Sequence, residues 1–355
     1  MRQFLTLANG SPDFRAYIDG SFSKTQRALP VESLNVKTQG KQVTFQILDL
    51  KDIEKPFWAF HWLQILKARN LLLVVFPIFL VYVQSQLNLS LYDPVTFGTS
   101  ALGALCLMVA ANLRNDYQDH ISGLDRIYMH SGSRAIQNGW VTAKQMRNWS
   151  YVYLIFGVLA ACRALLIYPS TLMIAGLVLL LGIFGMSSFS SGLKHRLWSE
   201  WMIFLMLGPL LTIGMQISSG GQLTIETLLL GTAAGWLSVF FLHLKNFEQL
   251  MIIDKAHFAN TIWWLGFERA KIYLMAWAST LVAGILIYQS LYQSLSWLFI
   301  WTAPLIALLF PYTLKLYRLQ SPLGSGLKKA TKLGRSLSLM IIALFVLQSL
   351  WNLFG

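Results

Sequence analysis

From residue 71 onward the sequence is a succession of apolar stretches separated by short polar loops. A hydrocarbon layer ~30 Å thick takes roughly 20 residues of α-helix to cross. Only backbone that satisfies its own hydrogen bonds survives there, so stretches of this kind dictate helices. They fall at 71–86, 95–114, 149–168, 170–190, 201–218, 225–244, 272–289, 295–314 and 335–354. The chain therefore reads as an all-α polytopic membrane protein of about nine transmembrane helices, the first starting near Gln64. Composition agrees, with 55% hydrophobic and only 12% charged residues, against ~25% charged in a soluble domain.

Positive charge gives the orientation, because short cytoplasmic loops are enriched in Lys and Arg. Residues 1–70 hold ten, the second loop five, the fourth two, the sixth four and the eighth six, whereas the odd-numbered loops hold Arg163 alone. That alternation places the N-terminus in the cytoplasm and the C-terminus outside. The net charge of +13 then follows from topology and from anionic headgroups, and nucleic acid is not expected as a partner. Cys106 and Cys162 lie in apolar stretches and read as small packing residues. No signal peptide is expected in the first 60 residues, which lack a long apolar run.

Residues 1–55 are polar and mixed in charge, and read as a small cytoplasmic appendage to a transmembrane domain at 56–355. Within them, LNVKTQGKQVTFQILDL alternates apolar and polar residues on either side of Thr38-Gln39-Gly40, the pattern of a β-hairpin. Lys55-Pro56 precedes FWAFHWLQILKARN, an aromatic amphipathic segment suited to the membrane interface.

Carboxylates are costly near hydrocarbon and persist where they have work to do. Nine follow residue 70, and six of them sit in the second and sixth loops, both cytoplasmic. The second loop reads ANLRNDYQDHISGLDR. Asn115 and Asp119 are four apart and Asp116 and Asp119 three apart, so on a helix end they share a face; Gly123 lets Asp125 turn back toward them. Hard oxygen donors converging in this way suit Mg²⁺, which takes one or two carboxylates plus phosphate oxygens. Arg134, in SGSRAIQNG, offers a fork-shaped donor for those oxygens.

At these residues the chain resembles the UbiA superfamily of intramembrane prenyltransferases. NDYQDHISGLD and SRAIQNGWVTAKQM are most similar to the branch that prenylates 1,4-dihydroxy-2-naphthoate for menaquinone. The resemblance covers 58–355 and implies a bacterial inner-membrane enzyme with a UbiA-like bundle. It implies catalytic Asp116 and Asp119, and Mg²⁺ held by Asn115, Asp116, Asp119 and Asp125 with Asn246 and Asp254 of the sixth loop. The implied partners are a polyprenyl diphosphate, an aromatic acceptor and the lipid bilayer.

The second motif departs from the family. Asn246, Asp254 and Thr261 match, but Gln249 and Leu250 stand where Arg and Asp are expected, and Phe258-Ala259 where Gly-Lys is expected. Glu248 lies about 240° round a helix from Asp254 and is a poor replacement. Lys245 and Lys255 are candidates to supply charge to the diphosphate in place of one ion. A catalytically impaired relative that binds prenyl lipids or scaffolds is the alternative; a haem or chlorophyll prenyltransferase is a variant of the enzyme reading. A transporter fits less well, because the carboxylates gather at helix ends on one face. His120, His130, His243 and His257 read as polar anchors, and Glu268 and Arg269 as residues preceding a membrane helix.

Overall fold

The chain opens on strands. In the computed structural model the described residues are 3–31, 42–87, 93–123, 125, 132–170, 174, 199–256, 261–292, 295–321 and 325–354, with 87, 249–256, 285, 288, 289, 291, 292, 295–302, 325 and 352–354 described by backbone alone. Strands β1 (Gln3–Ala8), β2 (Gln26–Pro30) and β3 (Gln42–Asp49) form an antiparallel sheet in the order β1-β3-β2, with helix α1 (Phe14–Asp19) between the first two in sequence. Gln3 pairs Ile47 on one side of β3, and Pro30 pairs Phe45 on the other. Alternation along β3 turns Val43 and Phe45 into a small core with Ile18, all three buried. The turn expected at Thr38–Gly40 lies outside the described residues.

The helices follow: α2 (Trp58–Ile65), α3 (Ala68–Leu87), α4 (Pro94–Ser122), α5 (Ala143–Ile167), α6 (Ser199–Leu205), α7 (Leu211–Ser218), α8 (Ile225–Ala256), α9 (Thr261–Tyr292), α10 (Leu295–Tyr317) and α11 (Ser325–Phe354). Among the described residues six spans are long and apolar enough to cross a membrane: 68–86, 94–122, 143–167, 199–218, 225–248 and 326–351. The protein is therefore integral to a membrane. The stretches expected at 272–289 and 295–314 are helical in α9 and α10, whereas 170–190 lies almost wholly outside the described residues.

One expectation is corrected. The first crossing does not begin near Gln64, because Lys67 adopts a left-handed backbone (φ 53°) and separates α2 from α3. Glu268 and Arg269 stand just past Gly266, whose non-helical backbone (φ 71°, ψ 169°) divides α9, and so open its second segment, which carries the apolar stretch expected at 272–289.

The chain forms two compact units, one holding Met1–Leu71 and Leu105–Leu159, the other Leu72–Ala104 and most of the chain beyond Ala160. In the second, α3 and α8 to α11 share a core that includes Phe76, Leu237, Leu244, Leu274, Tyr312 and Ile341. A π-helical segment, Met206–Leu210, carries Pro209 and joins α6 to α7 across a bend. It lies so close to α8 that a Cβ on Gly231 would stand 2.9 Å from Pro209 Cα, the small-residue contact by which membrane helices approach. On α5, by contrast, Ile155, Phe156, Leu159 and Leu166 are exposed, as side chains that face lipid are.

Candidate functional site

The last turns of α4 carry Asn115, Asp116, Asp119 and His120, and the segment after them returns through Asp125 and Gly132–Trp140. Asp116, Asp119 and Asp125 are 3%, 4% and 2% exposed, a degree of burial that carboxylates bear only with partners. Asn115 Nδ2 donates to Asp119 Oδ2 at 2.7 Å, the four-residue pairing their spacing predicts. The Ser133 amide donates to Asp116 Oδ2 at 3.1 Å, and Gln137 Nε2 to Asp125 Oδ2 at 2.6 Å.

Gly132 makes the close return possible. Its φ is +69°, and a Cβ there would stand 2.9 Å from Asp116 Oδ1 and 3.7 Å from Asp125 Oδ1. Both oxygens thus border one small space, and Asp125 Oδ1 is buried with no hydrogen-bond partner.

Lys67 was not foreseen as part of this group. Its Nζ lies 2.5 Å from Asp116 Oδ1, and both side chains are nearly buried. Burial lowers the ammonium's pKa, but Asp116, and then Asp119 and Asp125, more than offset this and raise it. Burial, followed by the Asp119 and Asp116 charges, pushes the Asp125 carboxyl up to about 7, against the pull of Lys67 and Gln137. In sequence Lys67 counts only as one more basic residue of a positive N-terminal stretch; a single cation at the end of an aromatic helix is the faint signal it gives.

Arg134 follows Ser133 with a left-handed backbone (φ 61°). Lys67 and Arg134 are thus both non-glycine residues held in a left-handed backbone, a kind of strain that clusters at ligand clamps and active sites. Gln64 Nε2 holds the Ser133 carbonyl at 3.0 Å and so ties α2 to the loop. Arg126 and His130 lie outside the described residues.

Among the described residues no three Asp, Glu, His or Cys side chains converge tightly enough to hold a metal by themselves. The open Asp125 oxygen, the space at Gly132 and the all-oxygen donor set fit a small hard cation that takes one or two carboxylates and completes its shell with water and diphosphate oxygens.

The sixth-loop candidates belong to the other unit. Asn246 is 8% exposed, and its Nδ2 points at Glu200 Oε1 at 3.5 Å. Glu200 and His243, both fully buried, pair at 2.9 Å, and His243 Nε2 donates to the Ala270 carbonyl at 3.1 Å. His243 is thus a satisfied polar residue that braces the start of α6 against α8 and α9. Glu248 is committed elsewhere, with both oxygens on Arg335 of α11 at 2.7 and 2.8 Å and a hydrogen bond from Thr331 at 2.7 Å. The side chains of Leu250, Asp254 and Lys255, and all of His257, lie outside the described residues; Lys245 is in α8, one residue before Asn246.

A model of the UbiA prenyltransferase family matches residues 71–333. The 1,4-dihydroxy-2-naphthoate octaprenyltransferase of Escherichia coli (strain K12) is 22% identical over 231 residues, covering 61% of this chain and 72% of that one. A UbiA homologue from Archaeoglobus fulgidus, solved with GPP and Mg²⁺, shares the fold with a TM-score of 0.54 at 14% identity, over 79% of this chain and 99% of that one. A structure described for digeranylgeranylglyceryl phosphate synthase gives 0.57 at 15% identity, over 81% and 97%.

Proposed function

The chain belongs to the UbiA prenyltransferase family, and from that premise we propose that it transfers a polyprenyl group from polyprenyl diphosphate to an aromatic quinone precursor, 1,4-dihydroxy-2-naphthoate or a close analogue, in a Mg²⁺-dependent reaction. The acceptor is suggested by the name of the Escherichia coli relative, and the donor and ion by the ligands of the Archaeoglobus fulgidus structure. The observation that carries the reading is the buried group of Asp116, Asp119 and Asp125 with one carboxylate oxygen open to a space bordered by Gly132.

In this reading Asn115, Asp116, Asp119 and Asp125 hold Mg²⁺, which supplies Lewis-acid neutralisation of the leaving diphosphate. Arg134 donates N–H groups to the diphosphate oxygens. Lys67 balances the carboxylates and keeps a cation beside the departing anion. The allylic C–O bond breaks with its electron pair on the diphosphate; a ring carbon of the acceptor attacks the allylic cation, and the ring gives up the substituent it carried there. By the family resemblance Asn246 and Asp254 are further candidates for holding the ion, and Lys245 and Lys255 for supplying charge where Leu250 replaces a carboxylate. The nine-helix count, the appendage at 1–55, the cytoplasmic N-terminus and the bacterial inner membrane belong to the same proposal.

A second reading is a prenyl-lipid-binding protein without turnover, favoured by Leu250 and by the commitment of Glu248 to Arg335. Incubating the purified protein in lipid with Mg²⁺, a labelled polyprenyl diphosphate and 1,4-dihydroxy-2-naphthoate separates the two. Prenylated product from the native protein, falling by about 10²-fold or more in Asp116→Ala and Asp119→Ala, supports the enzyme. Mg²⁺-dependent binding of the diphosphate without product supports the second reading, and the absence of binding overturns both.

A further inference from the structure

The sheet and α1 precede the segment that the family model matches, 71–333, yet they lie against the carboxylate site. Ile121, one residue beyond His120, packs on the core of Ile18, Val43 and Phe45. Trp140 Nε1 donates to the Glu54 carbonyl at 3.0 Å. A Cβ on Gly139 would collide with Ile53, and one on Gly20 with Thr142.

One contact reaches the carboxylates through a chain of hydrogen bonds. His120, 2% exposed, has Nε2 3.0 Å from the Ile18 carbonyl. A carbonyl only accepts, so Nε2 carries the proton, which leaves Nδ1 as the acceptor for Gln137 Nε2 at 3.4 Å. The same Gln137 amide donates its other hydrogen to Asp125 Oδ2. With the proton moved to Nδ1, two donors would face each other; the Gln137 amide would have to turn, and Asp125 would lose its one hydrogen-bonded oxygen.

We infer that the N-terminal sheet module is a positioning element of the carboxylate site: through Ile18, His120 and Gln137 it fixes the Asp125 carboxylate with one oxygen held and the other open. His120 and Gln137 are positioning residues, and the module's fold, through the place of the Ile18 carbonyl, sets the tautomer on which they depend. The inference rests on the carboxylate site being the diphosphate site proposed above.

The test uses the full chain in lipid nanodiscs and titrates Mg²⁺ with inorganic diphosphate by calorimetry, alongside steady-state kinetics. The variants are Gln137→Leu, which keeps the bulk and removes the donor, Phe45→Leu in the module core, and the two combined. The expected result is about 10-fold weaker Mg²⁺-dependent diphosphate binding in each single variant, a raised KM for the polyprenyl diphosphate with the acceptor KM unchanged, and a double variant no weaker than Gln137→Leu alone, as sites acting through one chain require. Native-like binding by Gln137→Leu, or strictly additive losses in the double variant, overturns the inference. If Phe45→Leu does not fold, the Gln137→Leu binding and KM values decide alone. Failure of the native protein to bind diphosphate overturns instead the function on which the inference rests.

Discussion

Lys67 and Asp116 are a buried ion pair at the edge of hydrocarbon, and removing one partner of such a pair leaves a charge with no compensation, at a cost of about 3–5 kcal/mol. Lys67→Met is therefore expected to lower the apparent melting temperature in detergent, and adding Asp116→Asn to recover part of the loss; a double variant no more stable than Lys67→Met would show the pair uncoupled. The carboxylates were legible in the sequence because Asn115, Asp116 and Asp119 follow helical spacing, and spacing is local information. Lys67 was not, because it reaches Asp116, 49 positions further on, by way of a left-handed joint that nothing in KARN announces. Gln137 and His120 were hidden for the same reason: their role is set by the Ile18 carbonyl, a backbone group contributed from the far end of the chain.

The bent segment between α6 and α7 shows how closely helices meet in the second unit. Thr212 Oγ1 donates to the Gly208 and Pro209 carbonyls at 3.2 and 3.1 Å, so backbone groups freed by the bend keep partners. The same hydroxyl stands 2.2 Å from where a Cβ of Gly231 would be. Gly231→Val must push α8 away, at about 1–3 kcal/mol or more, and is expected to cut the yield of monodisperse protein in size-exclusion chromatography while Thr232→Val, on the exposed side, does not. Helix positions were readable because twenty apolar residues admit one solution in a bilayer. Their breaks were not: Lys67 and Gly266 stand in the polar residues ahead of the apolar runs at 71 and 272, and composition does not tell which of those residues turns the backbone. In the sheet, β3 was readable from its alternation, but QRALP has neither alternation nor a β-rich composition, and only pairing with β3 makes it a strand.

Across the whole molecule the basic residues and the helix order argue for one orientation. Arg163, in the last turns of α5, is itself tied to Thr96 Oγ1 at 2.7 Å and to Asp93 at 3.9 Å. In a background free of Cys106 and Cys162, Asn138→Cys is expected to react with an impermeant maleimide only after the membrane is opened, and Gln222→Cys in intact cells; the reverse pattern would invert the topology. A last consequence comes from α2 and the Phe57 that precedes it: Phe57, Trp58 and Phe60 are 64%, 68% and 67% exposed, and the helix ends two residues before the cation that meets Asp116. Aromatic rings of this kind seat at the headgroup level, so the ammonium that pairs with Asp116 stands within two residues of a helix referenced to the bilayer surface.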